Sequence, residues 1–202
     1  MPAFDTLFVT PLLRANLGTR LNPELEAASL LIAAEDRAGQ RWAKENGYRG
    51  YTSYASLDDL PLRNPIFADL GKKIDGAVKL FARKAQYELA GRKLVLDSLW
   101  VNVMAKDAIH APHIHPHAVL SGTYYVTVPP GSGAIRFEDP RLPLMMAAPP
   151  RRKTASLANR IFVDIQPRPG MLLLWESWLR HGVEVNKARG RRISVSFNYR
   201  LD

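Results

Sequence analysis

An α+β fold with a mainly β core is predicted by two features of the chain. Helical spacing of apolar residues is confined to the first half, and short Val-, Ile-, Tyr- and Phe-rich segments separated by Pro and Gly fill the second. No helical pattern of any length interrupts those segments, which predicts an antiparallel sandwich or barrel. The 202 residues read as one domain over 1–202, with a helical support region over 22–90 and the β core over 94–202.

The first helix is expected from Asn22-Pro23-Glu24 to about Asn46-Gly47, with Leu25, Ala28, Leu31, Ala34 and Ala38 near helical spacing. Asn22 suits the N-cap, Pro23 the first turn and Gly47 the residue after the end. Gly50-Tyr51-Thr52-Ser53-Tyr54 reads as a polar aromatic loop. A second helix is expected from Asn64-Pro65 to Leu89, with Ile66, Leu70, Ile74, Val78, Leu80 and Phe81 as its apolar side and Gly91 beyond it. Strands are expected at Leu94–Met104, Val119–Val128, Ala134–Phe137, Arg160–Ile165, Met171–Trp175 and Arg192–Tyr199. The Pro- and Arg-rich stretch 140–158 reads as a long mobile loop. No internal repeat is present.

Composition narrows the chemistry. Hydrophobic residues at 47% and charged residues at 23% are ordinary for a globular chain. Cysteine is absent, which excludes disulfides, thiolate metal sites and cysteine nucleophiles. No apolar run is long enough to span a membrane, and the first residues lack the order of a secretion signal, so a soluble, cytoplasmic protein is expected. The net charge of +9 favours anionic partners without choosing among them. The cluster Arg151-Arg152-Lys153 reads as solvated surface, and no basic-aromatic stripe argues for nucleic acid.

Four of the five histidines fall in His110-Ala-Pro-His113-Ile-His115-Pro-His117, and the fifth is His181. In an extended segment, residues i and i+2 share a face, so His113 and His115 can point at one metal ion. His115 and His117 could do the same, although Pro116 disturbs the strand there. Neutral imidazole suits iron, zinc, copper and nickel, and a distant third histidine strengthens a His-x-His pair. His181 is that third group. Eleven residues further on, Arg192 begins a strand in which Arg192, Ser194, Ser196 and Asn198 share one face, with Ile193, Val195, Phe197 and Tyr199 on the other. One small polar face and one apolar face fit a barrel that holds a polar ligand inside and packs on helices outside.

These residues resemble those of the 2-oxoglutarate/Fe(II)-dependent oxygenases, and more narrowly the oxygenase branch related to prolyl 4-hydroxylases. The resemblance is carried by Trp100-Val-Asn102-Val, His113-Ile-His115-Pro, Leu120-Ser-Gly-Thr-Tyr-Tyr-Val126, Phe137-Glu-Asp-Pro-Arg141, the Gly170 strand leading to His181, and Arg192-Ile-Ser-Val-Ser-Phe-Asn198. It covers roughly 95–200, and Gly50-Tyr51-Thr52-Ser53 adds to it. It implies a double-stranded β-helix (jelly roll) whose major sheet is backed by the N-terminal helices. It also implies Fe(II) on His113, His115 and His181, with 2-oxoglutarate as co-substrate, O2 as oxidant and an unidentified substrate that is hydroxylated. The far carboxylate of 2-oxoglutarate needs a bidentate cation, which arginine provides better than lysine. Arg192 matches the family position, whereas Arg191 faces the other way by alternation. Ser194 is expected to assist, and Tyr125 and Asn102 to line the co-substrate pocket, with Tyr124 pointing outward.

One departure stands out: much of the superfamily has His-x-Asp or His-x-Glu where this chain has His115. Three neutral ligands leave the ferrous site one unit more positive. That admits a rival enzyme, a cupin-type three-histidine dioxygenase without 2-oxoglutarate. Such a motif calls for a Glu shortly after His-x-His, and none lies between His115 and Glu138. A jelly-roll binding or sensor protein that keeps the metal without turnover is the non-enzymatic rival. His110 and His117 are left either behind the ligands or facing substrate. Trp175 and Trp178 read as packing, and Glu138, Asp139 and Arg141 as a loop ion pair. The oligomeric state stays open, a homodimer included.

Overall fold

The computed structural model describes residues 2–202. In chain order the elements are β1 (Leu12–Asn16), α1 (Asn22–Glu35), α2 (Arg37–Glu45), β2 (Gly50–Thr52), α3 (Leu60–Arg63), α4 (Pro65–Lys84) and β3 (Leu94–Met104). Then follow β4 (His110–His113), β5 (Leu120–Thr127), β6 (Ile135–Glu138), β7 (Phe162–Ile165), β8 (Met171–Glu176), β9 (His181–Val183) and β10 (Arg192–Leu201). A six-stranded sheet runs β1-β8-β5-β10-β3-β2, and a four-stranded sheet runs β4-β9-β6-β7. Every ladder is antiparallel, and the two sheets form a jelly roll.

Strand alternation divides the core in two. Ile193, Val195, Phe197 and Tyr199 join Val101, Val103, Tyr124 and Leu174 against the helices, where α4 contributes Phe67, Leu70, Ile74 and Phe81. Each such side chain contributes about 1.5–3 kcal/mol by leaving water. Between the sheets a smaller cluster holds Tyr125, Phe137, Leu173, Trp175 and Leu179. Tyr124 points outward as expected, and its hydroxyl reaches Gly18 O at 2.7 Å and Asn22 Oδ1. Gly122 sits directly across from Phe197, and a Cβ there would meet the Phe197 ring at 2.3 Å.

Local chemistry moves several helix ends from their predicted places. Asn22 is not a cap: it lies inside α1, where its amide donates to Val126 O at 2.7 Å and ties the helix to β5. The single helix expected over 22–46 breaks at Asp36. There the carboxylate accepts the Ala38 and Gly39 amide hydrogens and starts α2 afresh. Burial opposes ionisation of Asp36, but bonds from Ser56, Gly39, Tyr51 and Ala38 outweigh it and lower its pKa. Those bonds fasten α2 to the segment after β2. Gly47 follows α2 with φ +63°, the left-handed geometry glycine tolerates. α4 begins on the Asn64 side-chain cap but ends at Lys84, short of Leu89. Part of the expected loop at 50–54 pairs with β3 as β2, and Arg160 falls just before β7. Between β6 and β7 the structure has only two 3₁₀ turns, at Leu142–Leu144 and Leu157–Asn159. Among the described residues, no helix is long and apolar enough to cross a membrane.

Candidate metal centre

β4 and β9 are short, but their pairing brings two histidines together: His113 lies directly opposite His181. Register slips between His110 and His113, so the end of β4 turns inward. His115 lies just beyond β4, and its backbone N–H donates to Ser177 O at 3.0 Å, which pins it to the turn between β8 and β9. Each of the three imidazoles offers one nitrogen, and these nitrogens all lie within 4.8 Å of one another. Ring centroids stand 4.5 Å apart for His113 and His181, 5.1 Å for His113 and His115, and 5.3 Å for His115 and His181. Among the described residues this is the one cluster of His, Cys, Asp or Glu that could hold a metal ion.

Tautomers are set by the backbone. His113 Nδ1–H donates to Ala111 O at 2.7 Å, and His181 Nδ1–H donates to Leu179 O at 2.9 Å. Such bonds fix the ring plane and leave Nε2 with its lone pair toward a metal. Burial drives the pKa of His181 down to about 3, and the proximity of His113 acts the same way. Burial, with His113 again, brings His115 to about 4. Both rings are therefore neutral at pH 7, the form that ligates.

Beneath the histidines lies a cavity of about 250 Å³. Three strands supply its floor at one level, because Ser194 of β10 pairs with Asn102 of β3 and with Tyr125 of β5. Residues directly opposite in a ladder share a face, so all three side chains enter the cavity. Arg192 lines it one step further along β10, while Arg191 is exposed. All seven side chains singled out in the sequence (His113, His115, His181, Arg192, Ser194, Tyr125 and Asn102) thus line one cavity. His110 lines it too; His117 and Trp178 are exposed and do not. Trp175 is more than packing: it forms part of the wall and stands 4.6 Å from the His181 ring. Thr52, Tyr54 and Trp100 also line it; alternation puts Trp100 on the face of Asn102, whereas nothing in the period of their segment marked Thr52 and Tyr54. The ion-pair reading of Asp139 and Arg141 holds, with a 2.8 Å contact, and Glu138 pairs with Arg180.

The cavity is chemically unfinished in a way that fits a bound diacid and metal. Four atoms of its lining are buried without a hydrogen-bond partner: Asn102 Oδ1, the Tyr125 hydroxyl, Trp175 Nε1 and Arg192 Nε. Arg192 is only 2% exposed, yet no Asp or Glu lines the cavity with it. Its guanidinium meets Met104 Sδ at 3.2 Å and lies 5.0 Å from the Tyr125 ring centroid. An uncompensated buried charge costs several kcal/mol, so this position calls for an anion. Burial pushes the Tyr125 hydroxyl up to about 12 against the pull of Arg192, so it stays protonated and can donate.

Comparison with known proteins gives the same direction. The family described as "Putative 2OG-Fe(II) oxygenase" matches residues 98–198. No curated protein matches the sequence. Among solved structures, a Pseudomonas putida prolyl-4-hydroxylase superposes with a TM-score of 0.64 at 15% identity, over 95% of this chain and 93% of that one. The non-heme alpha ketoglutarate dependent epimerase SnoN of nogalamycin biosynthesis gives 0.62 at 16% identity, over 95% and 76%. HygX of Streptomyces hygroscopicus, solved with nickel and 2-oxoglutarate, gives 0.59 at 17% identity, over 94% and 82%. At such identities these structures speak for the jelly-roll fold.

Proposed function

The chain belongs to the 2OG-Fe(II) oxygenase family, whose signature spans half of it, and on that premise we propose a hydroxylase whose Fe(II) is held by His113, His115 and His181. The buried, unpaired guanidinium of Arg192 in the same cavity as the three imidazoles carries this reading. When bound, Fe(II), 2-oxoglutarate and O2 supply the oxidation: the co-substrate becomes succinate and CO2, and one oxygen atom enters a substrate C–H bond.

The chain's own residues prepare that chemistry. Ala111 and Leu179 carbonyls hold the His113 and His181 rings in the ligating tautomer. Arg192, whose Nε–H has no partner, would receive the far carboxylate of the co-substrate. The Tyr125 hydroxyl donates to the same ligand, and Ser194 lies at the same level of the sheet. Asn102 donates its amide to Ser196 Oγ at 3.1 Å, which turns its unpartnered carbonyl oxygen into the cavity as an acceptor. Trp100, Trp175 and Phe137 crowd the histidines and limit water there.

The test is iron content with anaerobic 2-oxoglutarate titration. A visible charge-transfer band should form, and succinate should appear in air without added substrate. His113→Ala and His181→Ala should lose the band; Arg192→Ala should keep iron and lose 2-oxoglutarate affinity. Iron binding with indifference to 2-oxoglutarate would instead mark a cupin-type dioxygenase. Binding of both without succinate would mark a sensor.

A further inference from the structure

One wall of the cavity carries a histidine outside the metal triad. His110 lines that wall. Its ring stacks on Tyr48, with centroids 4.9 Å apart and planes within 10°. It also meets the His113 ring edge-on at 6.2 Å, so it stands next to the metal ligands without being one of the three. Register explains why Tyr48 is there. Gly50 of β2 pairs with Met104 of β3, and Met104 pairs with Arg192 of β10, so the residues just before β2 arrive two strands from Arg192 at its level of the sheet. The charge of Arg192 acts on both rings. The Tyr48 hydroxyl is buried there without a hydrogen-bond partner, another group left open beside the same cation.

We propose that His110, which lines the same cavity as Arg192, is a further contact for the distal carboxylate of the co-substrate, and that Tyr48 is its positioning residue. This rests on the reading of the cavity as a 2-oxoglutarate site. A carboxylate has about four lone-pair positions, more than one arginine fork can fill in a dry pocket. The imidazole N–H supplies a neutral donor without adding a second buried charge. The face-to-face stack on Tyr48 fixes the plane from which that N–H points. No acidic side chain in the lining competes for it.

The experiment compares two 2-oxo acids on the iron-loaded protein under anaerobic conditions: 2-oxoglutarate, and 2-oxobutyrate, which lacks the distal carboxylate. The visible band reports binding of each. His110→Phe keeps the stack and removes the donor. It should weaken 2-oxoglutarate about tenfold, the worth of a hydrogen bond to a charged group. It should leave 2-oxobutyrate affinity and iron content unchanged. His110→Asn, which keeps an N–H, should recover part of the loss. Tyr48→Leu should shift the same selectivity to a smaller degree, and His110→Leu stands in should the Phe variant not fold. Unchanged 2-oxoglutarate affinity overturns the proposal. So does an equal loss for both acids, which would place His110 at the metal end. A wild-type protein that binds iron but neither acid overturns both this assignment and the function it rests on.

Discussion

The two faces of β10 are finished to different standards. On the helix side, Ile193, Val195, Phe197 and Tyr199 are buried in the larger core, and the Tyr199 hydroxyl donates to Asp75 Oδ1 at 2.6 Å. On the cavity side, completion varies along the strand. At Asn198 the polar groups are satisfied, with Ser121 Oγ donating to its Oδ1 at 2.8 Å and its amide donating to Ser98 Oγ at 3.2 Å. Six residues earlier, at Arg192, they are not. One strand thus carries a face that stabilises the fold and another whose open end is costly until a ligand arrives. The difference separates residues that hold the fold from residues that wait for chemistry.

Substitutions on opposite sides of β10 should have opposite signatures. The largest effect is expected from Phe197→Ala, which opens a cavity against Gly122 and should cost about 3–5 kcal/mol in urea unfolding. The folded fraction of that variant should bind 2-oxoglutarate normally; a primary loss of affinity would blur the distinction between the faces. Arg192→Met comes next. Removing a buried unpaired cation should leave the ligand-free protein as stable, or up to about 2 kcal/mol more stable, while 2-oxoglutarate affinity falls about 100-fold. A clear loss of stability in the ligand-free state would mean that Arg192 is structurally satisfied after all.

The third effect concerns pH and is spread over several groups. His110, His115 and His181 are depressed in the folded protein, chiefly by burial, to about 3, 4 and 3. The unfolded chain, with histidines near 6.5, binds more protons between those values. Metal-free protein should therefore be most stable above about pH 6.5 and lose stability as pH falls toward 4. The slope should approach about 1.4 kcal/mol per pH unit for each proton by which the unfolded chain exceeds the folded one. Urea midpoints at pH 7.5 and 5.5 would show it, and His181→Phe should flatten the dependence. A flat profile in the wild type would mean that the rings are already charged or solvated.

Much of this was legible in the sequence because the signals were local. Alternation separated Arg192 from Arg191, and Tyr125 from Tyr124, because a strand's period of two allows no other arrangement. His-x-His followed by a distant histidine located the cluster because so few histidines are present. What was not legible depended on contacts across the chain. β4 and β9 are four and three residues long, too short to show a period. The break at Asp36 comes from a carboxylate that binds Tyr51 and Ser56, partners 15 and 20 residues away. Trp175 looked like packing because apolar strands usually are. Only its unpartnered N–H in the cavity wall shows otherwise. Tyr48 comes to the level of Arg192 through two successive ladders, which no local pattern encodes.

The place of β10 in the large sheet has a consequence for how the molecule comes into being. Of all the strands it leaves the ribosome last, yet it fills the slot between β3 and β5, the middle of the six. Until then those two neighbours present bare edges, and Arg192, the proposed anchor for the diacid, is not in place. A nascent chain interrupted before Arg192 would have its histidines but an open seam prone to pairing with other chains. Maturation of the site is thus tied to closure of the sheet by a single late insertion.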